Sequence, residues 1–98
     1  MSSFKKIINQ NKPVLVDFTA SWCGPCKTMA PILEQVKSEV GDSASIVKID
    51  VDRNQQIAQS LQIQGVPTLI LYKNGKSVWR QSGVVQKGML ISLIQQHT

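Results

Sequence analysis

Val14-Leu15-Val16-Asp17-Phe18 is a nearly continuous run of β-branched and apolar residues interrupted by one carboxylate. A strand with one wet face alternates polar and apolar residues, whereas a run like this one is covered on both faces. It therefore predicts a strand near the centre of a sheet with helices on either side. The flanking segments can supply them. Phe4, Ile7 and Ile8 follow helical spacing over residues 4–10, and Asn11-Lys12-Pro13 then stops the pattern. Beyond Ser21-Trp22-Cys23-Gly24-Pro25-Cys26, the apolar positions Met29, Ile32, Leu33, Val36 and Val40 mark one face of a long helix that begins at the cysteines and ends at Gly41. Pro31 falls inside it, where a missing N–H and a ring clash are expected to bend the axis.

Residues 45–51 read as a second strand, and residues 55–62, with Ile57, Ala58 and Leu61, as a short helix. Thr68-Leu69-Ile70-Leu71-Tyr72 and Ser77-Val78-Trp79-Arg80 flank Lys73-Asn74-Gly75-Lys76, a strand, an Asn-Gly turn and a strand. Residues 86–96 form a closing helix with Met89, Leu90, Leu93 and Ile94 on one face. The predicted order is α-β-α-β-α-β-β-α. Right-handed crossover makes the first two strands parallel and the hairpin adds antiparallel neighbours, so the expected sheet is mixed.

A chain of 98 residues closes one hydrophobic core, so residues 1–98 are read as a single domain. The start has no basic segment leading into a long apolar run, and no apolar stretch approaches the roughly 20 residues that span a bilayer. The expectation is a soluble, unexported, cytoplasmic protein with no membrane partner. Eleven basic against six acidic residues give a net charge of +5. Lys5, Lys6, Lys12, Lys37, Lys73, Lys76 and Lys87 are scattered without interleaved aromatic residues, which favours a solvated surface over a nucleic-acid patch.

Two cysteines could form a structural bridge, a metal pair or a redox pair, and their spacing of three decides among these. A bridge closing so small a loop removes little entropy from the unfolded chain. Zinc needs four ligands, and the other candidate, His97, lies at the C-terminal end. A disulfide exchanger, by contrast, needs one thiolate near neutral pH and a second thiol close enough to close a ring on it. Cys23-Gly24-Pro25-Cys26 at a helix start supplies both, because unpaired N–H groups and the positive end of the dipole stabilise a sulfur anion at Cys23. Cys23 is the expected nucleophile. Cys26, one turn deeper and less accessible, is the expected resolving thiol. Gly24 is read as permitting the tight entry, and Pro25 as limiting alternative conformers.

Asp17 is costly to bury ionised. Either it is a solvated strand end, or burial raises its pKa and it exchanges a proton with Cys26, through water, as the disulfide resolves. Lys48, between Val47 and Ile49, is the natural counter-charge unless it simply points outward. Trp22 is either a core aromatic or an exposed platform for substrates beside the nucleophile. Val66-Pro67-Thr68 opens a strand where proline costs no ladder bond. Intrinsic preference alone favours a trans bond before Pro67.

Val14-Asp17-Phe18, Trp22-Cys23-Gly24-Pro25-Cys26-Lys27, Ala30-Pro31-Ile32-Leu33, Gly65-Val66-Pro67-Thr68 and Lys73-Asn74-Gly75 together resemble the thioredoxin family in content, order and spacing, over nearly the whole chain from Phe4 onward. The resemblance implies a thioredoxin fold, with Cys23 as nucleophile, Cys26 as resolving thiol and Asp17 as buried acid/base with Lys48 near it. It places Pro67 on the family's cis-proline, whose loop offers Val66 backbone groups to an extended substrate. Gly83 and Val84 then close the groove. It implies no bound cofactor, electrons from NADPH through a flavoprotein thioredoxin reductase, clients such as peroxidases and reductases, and a monomer with an open groove. The chain departs from the pattern in three ways. It starts where the family's first helix starts, so a four-stranded sheet lacking the N-terminal edge strand is expected. Thr19 stands where many members have tryptophan, and the charge is basic where some members are acidic. Gly24-Pro25, with no histidine beside the second cysteine, favours a protein disulfide reductase over an oxidase or isomerase. A binding module that keeps the fold without using the thiols is the remaining alternative.

Overall fold

The apolar run is the axis of the molecule in the computed structural model, which describes residues 2–98. The elements are α1 (Ser2–Ile8), β1 (Val14–Thr19), α2 (Gly24–Val40), a 3-10 turn (Gly41–Ser43), β2 (Ser45–Asp50), α3 (Gln55–Ser60), β3 (Thr68–Lys73), β4 (Lys76–Ser82) and α4 (Lys87–Gln96). The sheet order is β2-β1-β3-β4. β1 runs parallel to β2 and antiparallel to β3, and β3 pairs antiparallel with β4. The mixed four-stranded sheet thus takes the expected form, and among the described residues β2 has no outer neighbour.

The two central strands are buried from Val14 to Phe18 and from Thr68 to Tyr72, while β4 is exposed at nearly every position. Alternation along β1 and β3 builds two cores. Leu15, Leu69 and Leu71 pack on Met29, Leu33 and Val36 of α2 and on Leu90 and Ile94 of α4. Val14, Val16, Phe18, Ile70 and Tyr72 pack on the other side against Phe4 and Ile8 of α1. The Phe4 ring lies 5.8 Å, centroid to centroid, from Tyr72 in an edge-on pair. Burying a side chain of this size contributes about 1.5–3 kcal/mol, so these two layers dominate the stability.

Two helices end about two residues sooner than periodicity predicts. α1 stops at Ile8 because the backbone N–H groups of Asn74 and Gly75 in the β3–β4 turn donate to the carbonyls of Gln10 (2.9 Å) and Ile8 (3.1 Å). α3 stops at Ser60, where Gln62 turns to a φ of 56° and the Arg80 guanidinium donates to the carbonyls of Leu61 (2.6 Å) and Gln62 (2.9 Å). Both stops depend on a partner distant in sequence. α2 keeps Pro31 within its span.

Candidate active site

β1 delivers the chain to Thr19, and a short loop turns it into α2 with Cys23 as N-cap. The turn is fixed by the Cys23 N–H donating to the Ala20 carbonyl at 3.2 Å. Cys23 and Cys26 are joined as a disulfide with their Cα atoms 5.3 Å apart. Cys23 Sγ accepts the Cys26 backbone N–H at 3.1 Å, which ties this sulfur to the first turn of the helix. Free N–H groups and the positive dipole end make that position the one where a sulfur anion is best stabilised.

Two expectations need correction. Cys26 is not the more hidden residue of the bonded pair, since Cys23 is 3% exposed and Cys26 6%. Cys23 Sγ is covered by the facing loop, 3.5 Å from the Val66 carbonyl oxygen. Nor does the entry demand Gly24. Its φ lies outside the left-handed region and an added Cβ would meet nothing within 4 Å. Gly24 and Pro25 are instead exposed at the helix entry, between two buried cysteines.

The facing loop is bracketed from several sides. The Val66–Pro67 bond is cis, as the resemblance implied and the intrinsic preference did not. Thr68, fully buried, donates its hydroxyl to the Gly65 carbonyl at 2.6 Å, and its Oγ1 lies 3.0 Å from Ser82 Oγ. The Gly83 N–H donates to the Pro67 carbonyl at 2.8 Å, and a φ of 92° at Gly83 suits glycine. The Val85 N–H reaches Met29 Sδ of α2 at 3.5 Å, which holds the loop carrying Gly83 and the exposed Val84 beside the helix. Among the described residues, neither the N–H nor the C=O of Val66 takes part in a backbone hydrogen bond.

Trp22 is 70% exposed, so it is a surface platform and not a core aromatic. Its indole Nε1–H donates to Asp52 Oδ2 at 2.8 Å. Asp52 was not anticipated from sequence. It stands just beyond β2 in a turn closed by Asp50 Oδ1, which accepts the Asp52 N–H at 2.8 Å. Only the β1–β2 pairing brings it to a residue 30 positions away. Trp22, Val51, Ile63, Gln64, Gly65 and Val66 surround a depression of about 80 Å³ beside the disulfide.

Asp17 is 1% exposed, and its Oδ1 has no hydrogen-bond partner. Burial pushes its pKa from 3.8 up to about 6, against the opposing field of Lys48. The solvated strand end is excluded. Lys48 is its register partner on β2 but an exposed one, and it forms no ion pair with Asp17. Both line a cavity of about 190 Å³ between α2 and β2, with Ala30, Glu34 and Lys37. Ala30 follows Cys26 by four residues and so lies on the same helical face. Among the described residues, no group of three or more His, Cys, Asp and Glu could hold a metal ion, and no helix is long and apolar enough to cross a membrane.

Two thiols joined at a helix N-terminus, over a buried acid and under an unpaired strip of backbone, equip the chain to trade disulfides with other molecules. It is a dithiol–disulfide oxidoreductase. Comparison with known proteins agrees: the thioredoxin family model matches residues 1–96. A thioredoxin-like protein of Synechocystis sp. is 55% identical over 84 residues, 86% of this chain and 80% of the relative. A bifunctional thioredoxin reductase/thioredoxin of Mycobacterium leprae is 44% identical over 90 residues, 92% of this chain and 20% of that longer protein. A solved thioredoxin variant from Halobacterium salinarum superposes with a TM-score of 0.89 at 36% identity, covering 100% of this chain and 85% of the other. The chain belongs to the thioredoxin family.

Proposed function

We propose that the chain works as a protein disulfide reductase, with Cys23 as attacking thiolate and Cys26 as resolving thiol. The observation that carries this reading is the helix-tied Cys23 Sγ, which accepts the Cys26 N–H at 3.1 Å. In the reduced form the same N–H and the dipole stabilise a thiolate there, and that thiolate is the nucleophile of exchange. Trp22 and Val84 offer exposed apolar contact to a client. The Val66 N–H and C=O, which have no backbone partner, offer strand-like pairing that aligns an extended segment across the disulfide. Gly24 and Pro25, both exposed, offer further contact to it.

The Cys23 thiolate attacks one client sulfur, and the other client sulfur leaves as a thiolate. Asp17, its affinity for a proton raised by burial, accepts one from Cys26 through water in the cavity it shares with Lys48. The Cys26 thiolate then attacks Cys23 Sγ, forms the Cys23–Cys26 bond and expels, as a thiolate, the client sulfur that Cys23 had attacked. Two electrons have passed to the client, and the chain is left with the Cys23–Cys26 disulfide. A flavoprotein thioredoxin reductase using NADPH is the proposed source of the returning electrons, supported by the relative in which a reductase and a thioredoxin share one chain. Peroxidases and reductases with disulfides formed in turnover are the proposed clients. A monomer keeps the face around Trp22 and Val66 open, and a reducing compartment, the cytoplasm, suits a reductant.

Replacing Cys26 by Ser separates the roles. Cys26→Ser should accumulate a mixed disulfide with a model protein disulfide, seen by mass spectrometry under non-reducing conditions, whereas Cys23→Ser should accumulate none. The reverse pattern would overturn the assignment. Equilibration of the unmodified chain against a dithiol buffer should give a potential near the value of about −270 mV that characterises thioredoxins. A value between about −180 and −120 mV would make it an isomerase or oxidase instead.

A further inference from the structure

A further concavity lies at the end of the sheet remote from the disulfide. A pocket of about 420 Å³ is lined by Phe4, Lys5, Ile8 and Asn9 of the α1 region, Leu61 after α3, Tyr72 of β3 and Gly75 of the hairpin turn. Pro67, just before β3, and Tyr72, near its far end, lie about 17 Å apart along the chain direction. The walls are apolar: two aromatic rings, Ile8 and Leu61. Two polar features remain unmatched. Lys5 is exposed, and among the described residues the one ion pair joins Lys87 to Glu39, which leaves Lys5 without a carboxylate. Tyr72 is 4% exposed, and its hydroxyl is buried with no hydrogen-bond partner. A buried donor left unmade is costly, and native structures seldom keep one without a use.

We propose that this pocket binds a small aromatic carboxylate, its ring between Phe4, Ile8 and Leu61 and its carboxylate accepting from the Tyr72 hydroxyl and facing the Lys5 ammonium. The volume falls within the range of small-molecule sites, and an apolar lining with few convergent polar groups is their usual composition. An apolar body is called for by the walls, and an anionic acceptor by the two donors. The hydroxyl is buried at the pocket wall, and the Arg80 guanidinium, whose field also acts on it, is held by the Leu61 and Gln62 carbonyls. The distance of the pocket from the disulfide leaves exchange chemistry free to proceed with the pocket filled.

The probe is 2-naphthoate, titrated into the oxidised chain while backbone amide shifts are followed by NMR. Saturable shifts at Lys5, Asn9 and Gly75, with Trp22 and Val66 unmoved, are expected. Tyr72→Phe, which keeps the ring on Phe4, and Lys5→Gln, at an exposed position, should each weaken binding about fivefold, the loss of one polar contact. Both should retain the parent rate with a model protein disulfide. Shifts centred on Trp22 and Val66, no saturation, or unchanged affinity in either variant would overturn the proposal. So would pocket shifts that depend on protein concentration alone, since these would make a second copy the occupant.

Discussion

The two ends of the β1–β3 ladder are built from the same pair of strands and treat their backbone in opposite ways. At the hairpin end the loop groups are paired: Asn74 and Gly75 donate to Gln10 and Ile8, and the Ser45 N–H donates to the Pro13 carbonyl at 2.9 Å. At the disulfide end Val66 has no backbone partner, Trp22 stands 70% exposed, and Asp17 keeps Oδ1 without a partner. The remote end closes the fold, and the disulfide end keeps bonding capacity in reserve for another chain. The contrast lies in backbone pairing and side-chain exposure, since each end also buries one polar side-chain atom without a partner, the Tyr72 hydroxyl at one and Asp17 Oδ1 at the other.

The sharpest test of that contrast is Asp17→Asn. A pKa raised from 3.8 to about 6 means that the folded chain holds the Asp17 proton more tightly than the unfolded one. Well below pH 3.8 both states are protonated and the favourable term is fully present. It is lost as pH rises through about 6, the folded value. A shift of this size corresponds to about 3 kcal/mol as an upper figure. Asp17→Asn removes the dependence, so denaturant melts should match the parent at about pH 3 and gain about 2–3 kcal/mol at pH 7.5. Resolution of the mixed disulfide should slow in the same variant. A gain that is equal at both pH values would separate Asp17 from this account.

At the closed end the corresponding test is Gly75→Ala. Gly75 has a φ of 80° beside Asn74 at 54°, the pair of positive angles that a two-residue hairpin turn of this hand requires. Asparagine tolerates that region, and alanine loses about 1–2 kcal/mol there. The added Cβ would lie 3.5 Å from Asn9 Oδ1, an ordinary contact, so the cost is conformational. Stability should fall by that amount with no change in the rate of exchange. A slowed exchange would show that the two ends are coupled.

The same contrast governs what the sequence made legible. The central strand, the helix from the cysteines and the Asn-Gly hairpin are local patterns of periodicity and turn chemistry, and each appears within a residue or two of its expected bounds. Asp17 was visible because a carboxylate in an apolar run violates burial. What escaped depends on contacts between distant segments. The early ends of α1 and α3 are set by Asn74, Gly75 and Arg80, and no local pattern announces them. Asp52 reads as an ordinary turn acid until β-pairing sets it against Trp22. Covering of Cys23 by Val66 likewise requires the cis loop to be folded across it. The Pro67 isomer was legible only through family resemblance, since intrinsic preference favours the opposite form.

Asp52 also gives the mildest perturbation of the open end. Its carboxylate holds the Trp22 indole at 2.8 Å, yet both residues are exposed, where a hydrogen bond contributes about 0.5–1 kcal/mol at most. Asp52→Ala should therefore leave stability nearly unchanged and raise the KM for a model protein disulfide about twofold, by letting the platform rotate. Trp22→Ala removes the platform itself and should raise KM about tenfold, the loss of a partly buried aromatic contact. Neither change touches the sulfur atoms, so the kcat governed by resolution should hold in both. If Trp22→Ala leaves KM unaltered, clients dock through the Val66 backbone alone, and exposure of the indole has another use. If Asp52→Ala equals Trp22→Ala, the orientation of the ring, and not its area, is what a client reads.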